Sequence, residues 1–111
     1  MKKIEAIIRP SALRSVLEGL KAVGYPGVTL AEVQGHGTQK GITESYRGQS
    51  VEGLLPKLLL TAVVGDKQVK KVTDIIIKTA RSGEIGDGKI FVSAVLDVIR
   101  IRTGEKGEKA V

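Results

Sequence analysis

The 111-residue sequence has no cysteine and no tryptophan, and it holds only one phenylalanine and two tyrosines. Without thiols it can form neither a disulfide framework nor a zinc site built on thiolates. Three aromatic rings offer almost no platform for stacking bases, which argues against a single-stranded nucleic-acid binder. Asparagine is absent and the one histidine, His36, sits between two glycines. The sequence therefore lacks the water-positioning amide and the placed histidine that small phosphate-hydrolysing enzymes use.

Long hydrophobic runs are also missing. The longest apolar stretch, residues 58–64, is far too short to cross a bilayer, and Met-Lys-Lys leads directly into a strand pattern without a signal-like segment. We therefore expect a single cytoplasmic domain over residues 1–111, with no membrane insertion. The net charge of +6 permits an anionic partner, but we interpret most lysines as a solvated surface.

Hydrophobic periodicity predicts two β-α-β halves joined by a long loop. The predicted elements are a strand at 3–9, a helix at 11–24 capped by Ser11, a strand at 28–33, a strand at 58–64, a helix starting at its cap Asp66, and strands at 89–95 and 98–102. This order indicates an α+β, ferredoxin-like βαββαβ fold with both helices on one face of the sheet. The other face would be open and partly apolar, so self-association is expected.

Two segments lack periodicity. Residues 36–56 are polar and rich in glycine, and a loop of this length in a small domain is usually functional or disordered, so we expect it to be flexible. The tail at 103–111 is polar and is also predicted to be flexible.

The stretch from Ser82 to Val92 is a glycine-rich turn that ends in Lys89 and enters an apolar strand. Glycines permit positive φ, and successive N–H groups in such a turn can form an anion-binding nest. Asp87 could orient the turn by accepting hydrogen bonds from backbone N–H groups, which is the favoured role, or assist Mg²⁺. Arg100 and Arg102, at i and i+2 on a predicted strand, would point the same way and pair with phosphate oxygens.

A second glycine-interrupted turn, Gly35 to Lys40, also ends in a lysine. The two turns and the arginine pair together predict a polyphosphate site, although the Walker A pattern is absent. Three functions stay open from the residues alone: a nucleotide-binding regulator, a basic ferredoxin-like module that binds RNA, and a small phosphohydrolase. The scarcity of aromatic residues disfavours the second, and the missing catalytic residues disfavour the third.

Several motifs resemble the PII nitrogen-regulatory signalling proteins over nearly the whole chain. They are Ile4–Pro10, Gly35–Gly41 with Thr43–Gly48, Leu55–Lys57, Thr79–Gly83 with Gly86–Phe91, and Ile99–Glu105. The resemblance implies a homotrimer that is not an enzyme, with ATP or ADP bound between subunits. Mg²⁺-ATP would support 2-oxoglutarate binding, and the long loop, called the T-loop in that family, would engage an ammonium transporter or a nitrogen-metabolism enzyme. A related regulator with another small effector is the alternative.

The resemblance also implies roles for individual residues. The nucleotide would contact Thr29, Gly35, Gly37, Thr38, Val63, Gly86, Asp87, Gly88, Lys89, Arg100 and Arg102. The effector would contact Gln39, Lys40, Gly41, Lys57 and Arg9, with Gln39 also on the metal. Tyr46 and Arg47 would meet the target protein.

The sequence departs from that family's pattern at three places. Thr38 stands where an arginine is usual, and Thr61 where a glutamate is common. The long loop is one residue shorter, and the tyrosine that some members modify by uridylylation has no counterpart. Regulation by ligands alone is therefore expected.

Overall fold

The computed structural model describes residues 1–25, 27–36, 45–46, 49–50 and 54–111. The strands are β1 (Lys2–Ile8), β2 (Thr29–Gly35), β3 (Ser45–Tyr46), β4 (Gln49–Ser50), β5 (Leu55–Val64) and β6 (Lys89–Ala94). The α-helices are α1 (Leu13–Ala22) and α2 (Val69–Ala80), and 3-10 helices cover Pro10–Ala12, Asp66–Gln68 and Gly107–Ala110.

Four strands form one sheet in the order β2-β5-β1-β6, and each neighbouring pair is antiparallel. With α1 and α2 as the crossovers, this is the predicted ferredoxin-like topology, which is confirmed. The short strands β3 and β4 pair with each other in a separate two-stranded sheet within the long loop. Most of that loop lies outside the described residues.

The core lies between the sheet and the two helices. Ile4, Ala6 and Ile8 alternate along β1 and are fully buried, because alternate side chains of a strand point to one face. They pack against buried residues of both helices, among them Val16 of α1 and Ile76 of α2. Both helices therefore cover the same face of the sheet. The β1 residues between the buried ones, such as Glu5 and Ile7, lie on the open face.

The predicted helix caps are wrong. Neither Ser11 nor Asp66 makes a capping hydrogen bond, because each helix begins with a 3-10 turn that contains that residue. Pro10 occupies an early position of the first turn, where its missing N–H costs nothing. Asp66 instead accepts a 2.8 Å hydrogen bond from the amino group of Met1.

The predicted strand at 98–102 is also wrong. Only Ile99 makes a β-bridge, to Lys106, and residues 101–103 form a turn. The turn is closed by a 2.7 Å hydrogen bond from the N–H of Gly104 to the carbonyl of Arg100. Arg100 and Arg102 therefore do not alternate along a strand. The predicted flexible tail, residues 103–111, begins at the last residue of this turn and contains the last 3-10 helix.

Candidate functional site

The sheet has two ends that carry different candidate residues. At one, here called the turn end, β6 begins at Lys89 opposite Ile7, and β2 ends at Gly35 opposite Leu55. At the other, the far end, β5 ends at Val64 opposite Lys2, and β6 ends at Ala94 on the other side of Lys2. Each residue of a strand advances about 3.3 Å, so Lys89 and Ala94 are roughly 17 Å apart along β6.

The glycine turn leads from α2 to the turn end of the sheet. Gly83, Gly86 and Gly88 have φ values of 89°, 101° and 107°, a region that side chains disfavour. The predicted positive-φ geometry is therefore confirmed. Gly88 is also the point of closest approach, because a Cβ there would lie 1.7 Å from the carbonyl oxygen of Ile7. Only glycine lets the turn lie this close to β1.

Asp87 holds the turn from within. Its Oδ2 accepts hydrogen bonds from the backbone N–H groups of Ser82, at 2.8 Å, and Gly83, at 2.9 Å. Its Oδ1 accepts from the Ser82 hydroxyl and from Nε of Arg9. These bonds favour the ionised form of Asp87 over the protonated form, and the bond from the Ser82 hydroxyl has the largest effect. They hold the pKa of Asp87 well below its usual range, although desolvation raises it. The orienting contacts predicted for Asp87 are present.

Two cations tie the turn to the sheet. Arg9, directly after β1, donates from Nη2 to the carbonyl of Ile85 at 2.6 Å and from Nε to Asp87 at 3.3 Å. Lys57, on β5, donates from its ammonium to the carbonyl of Gly86 at 2.8 Å. The carbonyls of two successive turn residues are thus held by two different strand ends.

Among the described residues, Lys57 is the one charged residue that is buried, with 8% of its surface exposed. Burial lowers the pKa of Lys57, the nearby charge of Arg9 lowers it further, and Asp87 opposes both. Its aliphatic stem lies beside Gly35, where a Cβ would come within 3.2 Å of Lys57 Cγ. The ammonium is therefore confined between the glycine turn and the last residue of β2.

These groups surround an open cleft of about 450 Å³. Its lining combines the glycine turn with the base of the long loop: Ile7, Gly35, His36, Lys57, Glu84, Ile85, Gly86, Asp87, Gly88, Lys89 and Phe91. Lys89 and His36 are exposed and Phe91 is half exposed, so a cation, a histidine and one aromatic ring border the opening. A cleft of this kind can receive an anionic ligand with an apolar part.

The structure sorts the predicted nucleotide residues into two groups. Gly35, Gly86, Asp87, Gly88 and Lys89 come together at the turn end, and the effector candidates Lys57 and Arg9 lie beside them. Val63 lies toward the far end, where it pairs with Lys3, and Thr29 lies at mid-sheet, opposite Thr61.

Arg100 and Arg102 belong to the segment that follows β6 at the far end, and neither lines the cleft. Arg100 is bound by Glu105 at 3.0 Å and by the carbonyl of Lys109 at 3.0 Å.

The remaining predictions fall on residues that the structure does not describe or describes only in part. Gly37, Thr38, Gln39, Lys40, Gly41 and Arg47 lie outside the described residues, and for Tyr46 only the pairing with Gln49 is described.

Ser82 is a site residue that the sequence analysis did not assign a role. It starts the turn, and its hydroxyl donates to Asp87 and accepts from the N–H of Glu84. A hydroxyl residue just before a glycine turn, with an acid five positions later, is the signal that could have identified it.

Among the described residues, no three histidine or acidic side chains are grouped so that they could hold a metal ion. Across the same residues, neither helix has the length and apolar character needed to span a bilayer.

Comparison with known proteins assigns the chain to a class. A family model described as "Nitrogen regulatory protein P-II" matches residues 1–105. The nitrogen regulatory protein P-II of Nostoc punctiforme is 58% identical over 113 residues, covering all of both chains. Nitrogen regulatory protein P-II 2 of Methanothermobacter thermautotrophicus is 54% identical over 112 residues, covering all of this chain and 97% of its own.

A solved structure agrees. The crystal structure of Arabidopsis thaliana PII bound to citrate superposes with a TM-score of 0.82 at 44% identity, covering 99% of this chain and 91% of the other. The fold and the matched sequences define a signal-transduction regulator. The chain belongs to the nitrogen regulatory protein P-II family, and the resemblance inferred from its motifs is confirmed.

Proposed function

We propose that the protein senses ATP and ADP at the glycine turn and passes the nucleotide state to a target through its long loop. The observation that carries the proposal is the turn itself. Asp87 fixes it from within, Lys57 and Arg9 tie it to the sheet, and Lys89 stands at its exit beside an open cleft. Backbone N–H groups between positive-φ glycines, with a lysine at the end, are suited to phosphate oxygens.

We propose that each nucleotide is shared between two copies of the chain in a homotrimer. The candidate phosphate cations do not share one cleft, because β6 runs roughly 17 Å from Lys89 before the segment with Arg100 and Arg102 begins, and neither arginine lines the cleft. The segment beyond β6 also exposes apolar side chains, with Leu96 at 99% and Ile101 at 100% exposure. Apolar surface of this kind favours contact with a neighbouring subunit.

In this arrangement the turn of one subunit holds the phosphates with Gly86, Asp87, Gly88 and Lys89. The neighbouring subunit supplies Arg100 and Arg102 to the phosphates and Thr29 and Val63 to the adenine. Gly35, Gly37 and Thr38 close the site from the base of the long loop. Arg100 would exchange its contacts with Glu105 and Lys109 for phosphate oxygens.

The small effector is proposed to be 2-oxoglutarate, bound with Mg²⁺-ATP. Lys57 would pair with one of its carboxylates, and Gln39, Lys40, Gly41 and Arg9 would complete the site, with Gln39 also on the metal. The citrate bound to Arabidopsis PII supports this chemistry, because citrate is also a small polycarboxylate. Mg²⁺ would neutralise phosphate charge next to the effector.

The output is proposed to be a population shift of residues 36–56. A ligand changes the balance of loop states by as much as its affinity differs between them. Tyr46 and Arg47 would contact the target, which we propose is an ammonium transporter or a nitrogen-metabolism enzyme in the cytoplasm. The protein would act by binding, not by catalysis or nucleic-acid recognition.

Calorimetric titration tests the proposal. ATP and ADP are titrated separately, and then 2-oxoglutarate and citrate are each titrated with Mg²⁺-ATP present. We expect binding of both nucleotides, and binding of 2-oxoglutarate only after Mg²⁺-ATP. Absence of ATP binding would refute the sensing role. Binding of citrate but not of 2-oxoglutarate would support the regulatory role and show that the effector is a polycarboxylate other than 2-oxoglutarate.

A further inference from the structure

We propose that Arg9 is a positioning residue for the phosphate-binding turn, acting through Asp87 and Ile85 before any effector is bound. This inference rests on the nucleotide-binding function proposed above. It gives Arg9 a role in binding of the nucleotide itself, in addition to the effector contact that the resemblance implies.

The geometry of Arg9 carries the inference. Its guanidinium reaches a segment 76 to 78 residues away and contacts two different parts of it. Nη2 is 2.6 Å from the carbonyl oxygen of Ile85, and Nε is 3.3 Å from a carboxylate oxygen of Asp87. A planar guanidinium that makes two such contacts fixes both the distance of the turn from β1 and its orientation.

The turn needs an external tie of this kind. The other hydrogen bonds of Asp87 go to Ser82 and Gly83, so they close a ring within the turn and do not themselves connect that ring to the sheet. Arg9 joins this ring to the end of β1. Lys57 holds the next carbonyl, that of Gly86, but does not contact the Asp87 carboxylate by a hydrogen bond.

The consequence is local. The N–H groups of Gly86, Asp87 and Gly88 lie between Ile85, whose carbonyl Arg9 holds, and the start of β6 at Lys89. If the Asp87 ring rotates, the backbone of these three cleft-lining residues moves with it. Loss of Arg9 should therefore weaken binding of a triphosphate even though Arg9 need not touch it.

The test measures ATP affinity by calorimetry with no effector present, for the wild type, Arg9→Gln and Arg9→Lys. Arg9→Gln should bind ATP about tenfold more weakly, since one charge-assisted contact is worth about that factor. Arg9→Lys should recover part of the loss, because a lysine keeps the charge but cannot make both contacts. The matched control is Arg14→Gln on the exposed side of α1, which should bind ATP like the wild type.

A double-mutant cycle separates positioning from general destabilisation. If Arg9 acts in part through Asp87, the effect of Arg9→Gln on ATP affinity should be smaller in an Asp87→Ala background, where the contact with the carboxylate is already absent. A full additional loss in that background, or wild-type affinity in a folded Arg9→Gln protein, would overturn the inference. If Arg9→Gln does not fold, Arg9→Lys takes its place in the cycle. Wild-type protein that binds no ATP would instead refute the proposed function.

Discussion

The ammonium of Lys57 lies 2.8 Å from the carbonyl oxygen of Gly86, and the stem of the same side chain lies against Gly35. One buried residue thus connects the glycine turn with the start of the long loop. The ammonium has three N–H donors, so an anionic effector that pairs with it would share the same cation with the Gly86 carbonyl. Effector binding and turn geometry should therefore be linked, and reciprocally so.

Replacing Lys57 by methionine removes the ammonium and keeps an unbranched apolar stem beside Gly35. We expect 2-oxoglutarate binding in the presence of Mg²⁺-ATP to weaken at least about tenfold, because a charge-assisted contact is lost. ATP affinity should change less, since Arg9 still ties the turn. Calorimetry on Lys57→Met measures both, and Lys106→Met, on the exposed C-terminal segment, is the control. Unchanged effector binding would show that the ammonium is not its ligand.

Gly88 and Gly83 form a matched pair, because both have positive φ but only Gly88 is crowded. Gly83→Ala should cost about 1 kcal/mol of unfolding free energy, the penalty of a left-handed conformation for alanine. Gly88→Ala should cost about 3 kcal/mol or more, since its Cβ would strike the Ile7 carbonyl and β1 or the turn must shift. Urea unfolding of the two variants measures the difference. Equal costs would mean that the turn does not approach β1 this closely.

Asp87 should make folding sensitive to acid. Its pKa is held below the usual range by the Ser82 hydroxyl and the turn N–H groups, so the unfolded chain binds more protons at this site than the folded chain. The resulting stabilisation is present above the unfolded pKa, about 4, and is lost as the pH falls below it. Asp87→Asn should be less stable at pH 7 and should show a shallower loss of stability between about pH 4 and pH 2. Urea unfolding across this range checks the slope, with Asp74→Asn on α2 as the control for one lost carboxylate.

The proposed assembly makes a prediction about Ile101, which is fully exposed in the single chain. The wild type should have three times the 11.8 kDa mass of the chain in light scattering. Ile101→Asp should shift the protein toward smaller species, because a charge would have to be desolvated in the subunit contact. Lys78→Asp, on the exposed side of α2, introduces the same side chain and should leave the mass unchanged. A monomeric wild type would contradict the shared site.

The fold and part of the site were predictable from local patterns. Alternation in β1 and the helical stripe of α2 each reflect one buried face, and they led directly to the topology. The glycines and Asp87 of the turn could be interpreted because their partners are close in sequence. The helix starts were predicted incorrectly because the expected capping residues, Ser11 and Asp66, lie within 3-10 turns that precede the α-helices. The strand prediction at 98–102 was wrong because the alternation of isoleucine and arginine ends in a turn closed on Gly104.

The contacts that hold the site to the sheet were not predictable from one sequence. Arg9 meets Ile85 across 76 residues and Lys57 meets Gly86 across 29, and no local pattern records either pairing. The same limit applies to the separation of Lys89 from Arg102. Both residues suggested phosphate binding, but only the structure showed that Lys89 lines the cleft and Arg102 of the same chain does not.

Complementation between inactive chains tests the shared nucleotide site most directly. Lys89→Ala and Arg102→Ala trimers should each bind ATP at least about tenfold more weakly than the wild type, as each lacks one phosphate cation. After unfolding, mixing in equal amounts and refolding, each mixed trimer should contain one interface with both cations. High-affinity ATP sites should then return at about one quarter of the wild-type number. No recovery in confirmed mixed trimers, or wild-type affinity in either single variant, would contradict a nucleotide site built from two subunits.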